Sequence, residues 1–559
     1  MGVTIHSSYT ITPSNSSPTT TTIPLSHCQQ TKLPNHGSQL YLYTSSNAPP
    51  SIQNLRFSLT KALNLYYPLA GRLTWIHGGR LHLLCNSKGV KLSEATCHDH
   101  HTTVDELLRN LDNSALVEQF LPKVDYSVDR IEEMPLMAAQ ITRLPCDGVV
   151  LGVAICRVVV DGASLGNFMS AWSKLARGED LDSSLLVPVH DRGLLDSLGV
   201  GVGSRFEHTE FLTPPLWSED EEEEEQRRTR GSYELGSVVL KLSKGQVEIL
   251  KNKAHHHDGK DVFGNGLNSS SALSSSRPYT SFEVISGHLW RCVCKVKNEG
   301  NWSQKTRVTA LVNCRNRVKP NLPQSYFGNA TFPTVTPTCS FDDIVHKPLV
   351  YAVSNVRKAI ERMNDEYVRS AIDYIANQKD MNSLREKLYN PGGGKSRVNS
   401  NLYIVSWANF PFYEVDFGWG KPVCLVPGSI NSDGKAFVMN NGSGDDFIVA
   451  ICLQKSHVDD LKKLFYDGIE EMVTLVIFFE MPKEQAFAVD PMNGNLYIAG
   501  SPRIRFYFLP QQSFQEPLLS PSFDPTEPYD FLITNLHPNP PPSPTPTNTH
   551  LYHMIHLSK

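Results

Sequence analysis

Chemistry in this chain turns first on Arg157 and Asp161. They stand in Arg157-Val-Val-Val-Asp161-Gly162, directly after the apolar run Val149–Cys156. A guanidinium keeps its proton, with a pKa above about 12, and has donors but no acceptor lone pair. It can bind a carboxylate or steady an oxyanion, but it cannot serve as a base. Imidazole, with a pKa of ~6.5, can. Two stretches offer His and Asp together, His101-Thr-Thr-Val-Asp105 and His257-Asp-Gly-Lys-Asp261. The first has no buried strand ahead of it and no Gly after Asp105. The second lies in a serine-rich stretch, so neither makes a site. Far downstream, Asp416-Phe417-Gly418-Trp419-Gly420 packs two glycines and two aromatics into one turn. Glycines suit a backbone too tight for side chains.

The elements around these residues decide what they can reach. A continuous apolar run such as Val149–Cys156 predicts a strand buried on both faces. Arg157 then closes that strand. Asp161 lies in the turn to a helix whose Leu165, Phe168, Trp172 and Leu175 share one side, ending before Gly178. Strand ends beside helix starts are where scaffolds commonly place chemistry. Residues 51–66 carry Leu55, Leu59 and Leu63 at helical spacing and stop at Pro68 and Gly71. Further helices are expected through Val247 and Leu250 and over 282–296. A hairpin joins 436–439 to 447–453 through Asn441-Gly442, and Ser456-x-x-Asp459 is expected to cap a last helix bearing Leu461, Leu464, Phe465 and Ile469.

The chain has 559 residues, 40% hydrophobic and 19% charged, which fits a globular protein of more than one domain. A formal charge of −5 provides no basic field for nucleic acid or an anionic membrane. The apolar run at 473–479 is too short to cross a bilayer. The eleven cysteines are scattered, and Cys292-x-Cys294 lacks a second pair, so no metal site is expected. The start misses the myristoylation pattern at His6, and no signal peptide is recognised, so reduced thiols and a cytoplasmic location are expected. The acidic run at 219–225, followed by Arg227, Arg228 and Arg230, reads as a solvated crossover loop. The stretch 255–276, with its three-His run and many serines, reads as a mobile insertion. Asp416-Phe417-Gly418 imitates a kinase motif without that family's other loops. Gly392-Gly-Gly-Lys395-Ser396 imitates a phosphate loop, but its first glycine position is Tyr389. His288 reads as a packed helix residue.

The chain resembles the plant BAHD family of acyl-CoA-dependent acyltransferases. The resemblance covers about 3–475 and rests on the segments at 157–162 and 416–420, in the family's order. Tyr67-Pro68-Leu69-Ala70-Gly71-Arg72-Leu73, Gly287-His288-Leu289-Trp290-Arg291-Cys292 and Tyr326-Phe327-Gly328-Asn329-Ala330 add to it. Ser406-Trp407 ahead of Pro411-x-Tyr413, with Phe120-Leu-Pro-Lys-Val-Asp125-Tyr126, points to the hydroxycinnamoyl transferases, especially those acylating spermidine.

The resemblance implies an α/β protein of two chloramphenicol-acetyltransferase-like domains, mixed sheets flanked by helices, with a solvent channel between them. It divides the chain into an N-terminal domain (1–215), an acidic crossover loop (216–235) and a C-terminal domain (236–475). Residues 476–559, rich in proline, form an appendage read as largely disordered, in which Ile504, Phe506 and Phe508 alternate like a strand. The family's catalytic residue is the His of the first signature, which takes the acceptor's proton; here that position is Arg157. Asp161 corresponds to the Asp that turns away into a salt bridge, with Arg315 or Arg317 as its partner. Trp407 is carried over as a site residue. Asp416, Phe417, Gly418, Trp419 and Gly420 support the architecture at a distance from the reaction. A hydroxyl residue often precedes Ser-Trp in hydroxycinnamoyl members, and here it is Val405.

The implied function is transfer of a hydroxycinnamoyl group from acyl-CoA, as co-substrate, to a small amine or alcohol, with spermidine a candidate acceptor in plant secondary metabolism. No metal or bound cofactor is implied, and a monomer is usual among relatives. Three readings of Arg157 stay open: a solvent-facing strand end, an electrostatic aid to the reaction, or the mark of a catalytically inactive relative acting as a binding or regulatory protein.

Overall fold

The strand Val149–Cys156 lies inside the first of two six-stranded sheets, and all eight of its residues are buried. Its two faces separate by the period-two rule. Val149, Leu151, Val153 and Ile155 join a core that includes Leu55 and Leu59 of the helix Ile52–Leu65 and Phe168 and Trp172 of the helix Gly162–Ala176. Val150 packs on the other side against Val104, Leu116 and Phe120. Two covered faces explain why the run contains no polar residue.

The computed structural model describes residues 2–14, 21–44, 51–126, 130–181, 185–197, 203–215, 234–255, 277–389, 399–442 and 446–469, with the backbone of four short strands beyond them. Most of the acidic crossover, nearly all of the 255–276 insertion, and the segments at His257–Asp261 and Gly392–Ser396 lie outside the described residues. Contacts gather Met1–Gly468 into one unit and Ile469–Lys559 into another.

In the larger unit the first sheet runs Val3–Ile11, Val90–Cys97, Met137–Arg143, Val149–Cys156, His36–Tyr43 and Cys424–Pro427. The last of these comes from the far end of the chain and pairs antiparallel with His36–Tyr43, Leu425 opposite Tyr41. The second sheet runs Thr331–Val335, Val308–Asn313, Leu402–Ser406, Lys435–Asn440, Phe447–Gln454 and Leu235–Leu242. Both sheets mix parallel and antiparallel neighbours. The molecule is therefore a mixed α/β protein with two sheet-containing domains.

Local signals carry most of the helices. Asp161 caps Gly162–Ala176 by accepting the Ser164 N–H at 2.9 Å. Thr280 and Glu283 form a reciprocal capping box at the start of Ser281–Lys297. The last helix departs from expectation. A 3-10 turn over Lys455–His457 moves its start to Val458, so Ser456 caps nothing and no side chain closes the N-terminus. Of its expected inward residues Leu461 and Phe465 are buried, Leu464 is half-exposed, and Ile469 is buried just past the helix end at Asp467.

In the smaller unit Leu475–Glu480 pairs with Arg503–Phe508, and Phe487–Val489 with Leu496–Ile498. The alternation at 504–508 does fall on a strand. The proline-rich remainder lies outside the described residues.

Candidate active site

A cavity of about 960 Å³ opens between the two sheets, and Arg157 is in its wall. The backbone there is held from both sides. Arg157 N–H donates to the Asn35 carbonyl at 2.9 Å, and Asn329 Nδ2 donates to the Arg157 carbonyl at 2.8 Å. Its guanidinium lies along the bare backbone of Gly37. A methyl group placed on Gly37 would come within 3.4 Å of Arg157 Cζ. The side chain is half-buried, and among the described residues no carboxylate pairs with it. Its charge is free to act on the cavity's contents.

Asp161 is committed elsewhere. Arg315 meets it in a buried two-pronged bridge, Nη1 to Oδ2 at 2.7 Å and Nη2 to Oδ1 at 3.1 Å. The Ala330 N–H adds a bond to Oδ2 at 2.9 Å. Arg315 also donates to Ser164 Oγ at 2.9 Å and to the Tyr326 carbonyl at 3.0 Å. The carboxylate therefore ties the turn after Arg157 to residues 326–330. Arg317 instead donates to the Ile360 and Met363 carbonyls at 2.8 and 3.2 Å, closing the end of the helix Leu349–Arg362. Gly162 is required by packing: a Cβ there would sit 2.4 Å from Phe410 Cε2.

Trp407 lies in the cavity wall with Val405 and Ser406, its ring against Phe437 (centroids 4.7 Å apart) and Phe412 (5.7 Å). The Asp416–Gly420 turn is not in that wall. Asp416 Oδ1 accepts the N–H groups of Gly418 and Gly420 at 2.7 and 3.0 Å, and its carbonyl accepts a bond from Arg177 at the end of Gly162–Ala176. Phe417 packs on Trp172 and Trp419 on Tyr43. Gly418 and Gly420 have φ of +97° and +92°, where a Cβ is disfavoured. The turn fastens the segment leading into Cys424–Pro427 onto the first domain's core.

Among the described residues lining the cavity there is no histidine. His36 comes near the Arg157 charge, but its ring is occupied, with Nδ1 3.0 Å from Tyr126 Oη and Nε2 2.8 Å from the Pro135 carbonyl. Burial first, and Arg157 as a lesser cause, push its pKa down to about 4. His288 is buried with Nε2 on the Phe465 carbonyl at 2.8 Å, and burial pushes its pKa down to about 4 as well. His101 is exposed in a turn outside the cavity. Among the described residues no group of three or more His, Cys, Asp or Glu could hold a metal ion. No helix among them is long and apolar enough to cross a membrane.

One residue in the cavity wall had no place in the sequence reading. Lys435 starts the strand Lys435–Asn440, with Tyr403 opposite in the parallel pair. The signal was a charged residue between the Asp433-Gly434 turn and an apolar strand.

A model described as "Transferase family" matches residues 1–467. The hydroxycinnamoyl-CoA:piscidic acid hydroxycinnamoyltransferase of Actaea racemosa is 34% identical, covering 84% of this chain and all of that one. Shikimate O-hydroxycinnamoyltransferase of Nicotiana tabacum is 33% identical over 77% of this chain and 92% of its own length. Among solved structures, vinorine synthase aligns with a TM-score of 0.58 at 21% identity, covering 84% of this chain and 99% of that one. TRI101 of F. graminearum, complexed with coenzyme A and T-2 mycotoxin, aligns with a TM-score of 0.62 at 14% identity, covering 79% and 97%. Likenesses that remote carry the fold. The family's enzymes are acyl-CoA-dependent acyltransferases that use a CoA thioester and no metal or bound cofactor. By the length of the family match and the identity of its relatives, this chain belongs to the BAHD transferase family.

Proposed function

We propose that this chain transfers a hydroxycinnamoyl-type acyl group from CoA to a small alcohol or amine held in the cavity between the two sheets. We further propose that Arg157 makes the transfer slower than an imidazole at that position would. The observation that carries the second statement is the guanidinium in the wall of a cavity whose described lining holds no histidine. Acceptor oxygen or nitrogen must shed a proton as it attacks the thioester carbonyl, and a guanidinium cannot take it. General-base help is typically worth about 10²–10⁴ in rate. What Arg157 can supply is charge, either to a carboxylate or to the oxyanion that forms on the thioester.

The choice of acceptor follows from the same charge. Spermidine, a polycation, would meet an unpaired guanidinium. An acceptor bearing a carboxylate would meet a partner, and the piscidic acid and shikimate named for two relatives are acids. The charge supports acids over polyamines. All eleven cysteines are free thiols, which supports a reducing compartment such as the cytoplasm. We take the protein to act as a monomer, to be checked by its mass in solution.

The test is turnover of p-coumaroyl-CoA by the purified chain with piscidic acid, shikimate or spermidine, beside Arg157→His. The expected result is slow transfer, faster with the acids, and a gain of at least about tenfold in Arg157→His. Equal rates for parent and variant would refute the account of Arg157. No transfer by either protein, with any acceptor, would favour an inactive relative that binds a ligand without turning it over.

A further inference from the structure

Most ionisable groups in the cavity wall already have partners. Arg315 holds Asp161, and Lys297 holds Asp433 at 2.6 Å. Arg277 and Arg357 hold Glu283. Lys32 donates to the Thr331 carbonyl at 2.6 Å, and desolvation keeps Tyr403 a phenol, its pKa raised well above the ordinary value. Lys435 differs. Among the described residues nothing pairs with its ammonium or accepts a bond from it, and the Phe437 ring centroid lies 5.5 Å from Nζ. It projects from the second sheet into the cavity that Arg157 enters from the first, and it feels that charge. Burial chiefly, then Arg157, push its pKa down to about 7. Cys452, itself a thiol with its pKa raised to about 11, works weakly the other way. A lysine without its proton has the lone pair that a guanidinium lacks.

We propose that Lys435 is the proton acceptor for acyl transfer in this chain, an assignment that rests on the acyltransferase reading above. The neutral amine takes the proton from the acceptor's O–H as that oxygen bonds to the thioester carbonyl carbon. Arg157 faces the oxyanion so formed. Collapse breaks the C–S bond, and the departing thiolate takes the proton from the Lys435 ammonium. The products are an ester and the CoA thiol, with Lys435 neutral again. With an amine acceptor the same proton leaves nitrogen and the product is an amide.

The experiment is a set of pH–rate profiles for the full chain, using p-coumaroyl-CoA and whichever of piscidic acid, shikimate or spermidine turns over fastest. The variants are Lys435→Met, Lys435→Arg, Arg157→His and the double variant Arg157→His with Lys435→Met. The parent's rate should rise about tenfold per pH unit below ~7 and level off above it. Lys435→Met and Lys435→Arg should each lose about 10²-fold and lose that rise. Lys435→Arg keeps charge and bulk, so a merely structural lysine would tolerate it. In the double variant the imidazole should recover most of the Arg157→His rate. Retention of the parent's rate and pH rise in Lys435→Met would overturn the proposal while leaving the acyltransferase reading intact. Silence from both parent and Arg157→His, with all three acceptors, would end both.

Discussion

Replacing Arg315 with Met leaves the Asp161 carboxylate buried with only the Ser164 and Ala330 N–H groups as donors. Both side chains are almost fully enclosed, at 1% and 2% exposed. Removing one member of such a pair typically costs about 3–5 kcal/mol, because the survivor's charge stays out of water without its partner. Arg315→Met also strips donors from Ser164 Oγ and the Tyr326 carbonyl, which places the expected loss in the upper part of that range. Asp161→Asn keeps the capping oxygen and should cost less, about 2–3 kcal/mol. Urea unfolding followed by tryptophan fluorescence reads both variants and the double. Because the two side chains meet directly, the double variant should recover at least about 1 kcal/mol relative to the sum of the singles. Single losses below about 1 kcal/mol that simply add would show that the turn after Arg157 is not held by this pair.

Gly162→Ala should cost about 1–3 kcal/mol through its clash with the Phe410 ring, and Phe410→Leu in the same chain should return part of it in the same unfolding assay. Gly420→Ala forces a Cβ onto a backbone at φ +92° and should cost about 1–2 kcal/mol, with little effect on KM because the turn lies outside the cavity wall. Lys435→Met should raise stability at pH 6, on the order of 1 kcal/mol, since the folded parent must hold that ammonium near Arg157. The sign follows from a folded pKa of about 7 lying below the unfolded value of ~10.4. The unfolded chain binds the proton more readily between those values, so the parent gains stability as pH rises through that window. The advantage of Lys435→Met should shrink over the same interval, and unfolding midpoints at pH 6 and pH 10 that move in parallel would refute it.

What could be read from residues alone was whatever depends on neighbours close in sequence. Val149–Cys156 announces a covered strand because no residue in it could face water, and Leu55, Leu59 and Leu63 mark one face of a helix by spacing. Long-range pairing was less legible. Arg315 and Arg317 stand two apart beside the same strand, and only the path of 326–330 decides which of them reaches Asp161. Nothing local in Cys424–Pro427 says that it completes the first sheet rather than the second. Lys435 escaped notice because a lysine at a strand's start usually faces solvent. Its significance depends on Arg157, which follows the end of a strand in the other sheet.

The placement of Cys424–Pro427 also governs when the protein can finish folding. His36–Tyr43 has Val149–Cys156 on one side and this late strand on the other. During synthesis that second flank stays unpaired until the chain has been made through Pro427, so an early-made strand waits with free N–H and C=O groups for most of translation. An open flank of this kind invites pairing with other chains. The Asp416–Gly420 turn, by docking Phe417 and Trp419 just ahead of the strand, delivers it to the waiting edge. Damage to the turn should therefore show first as lost soluble yield, before any change in the chemistry of the finished molecule.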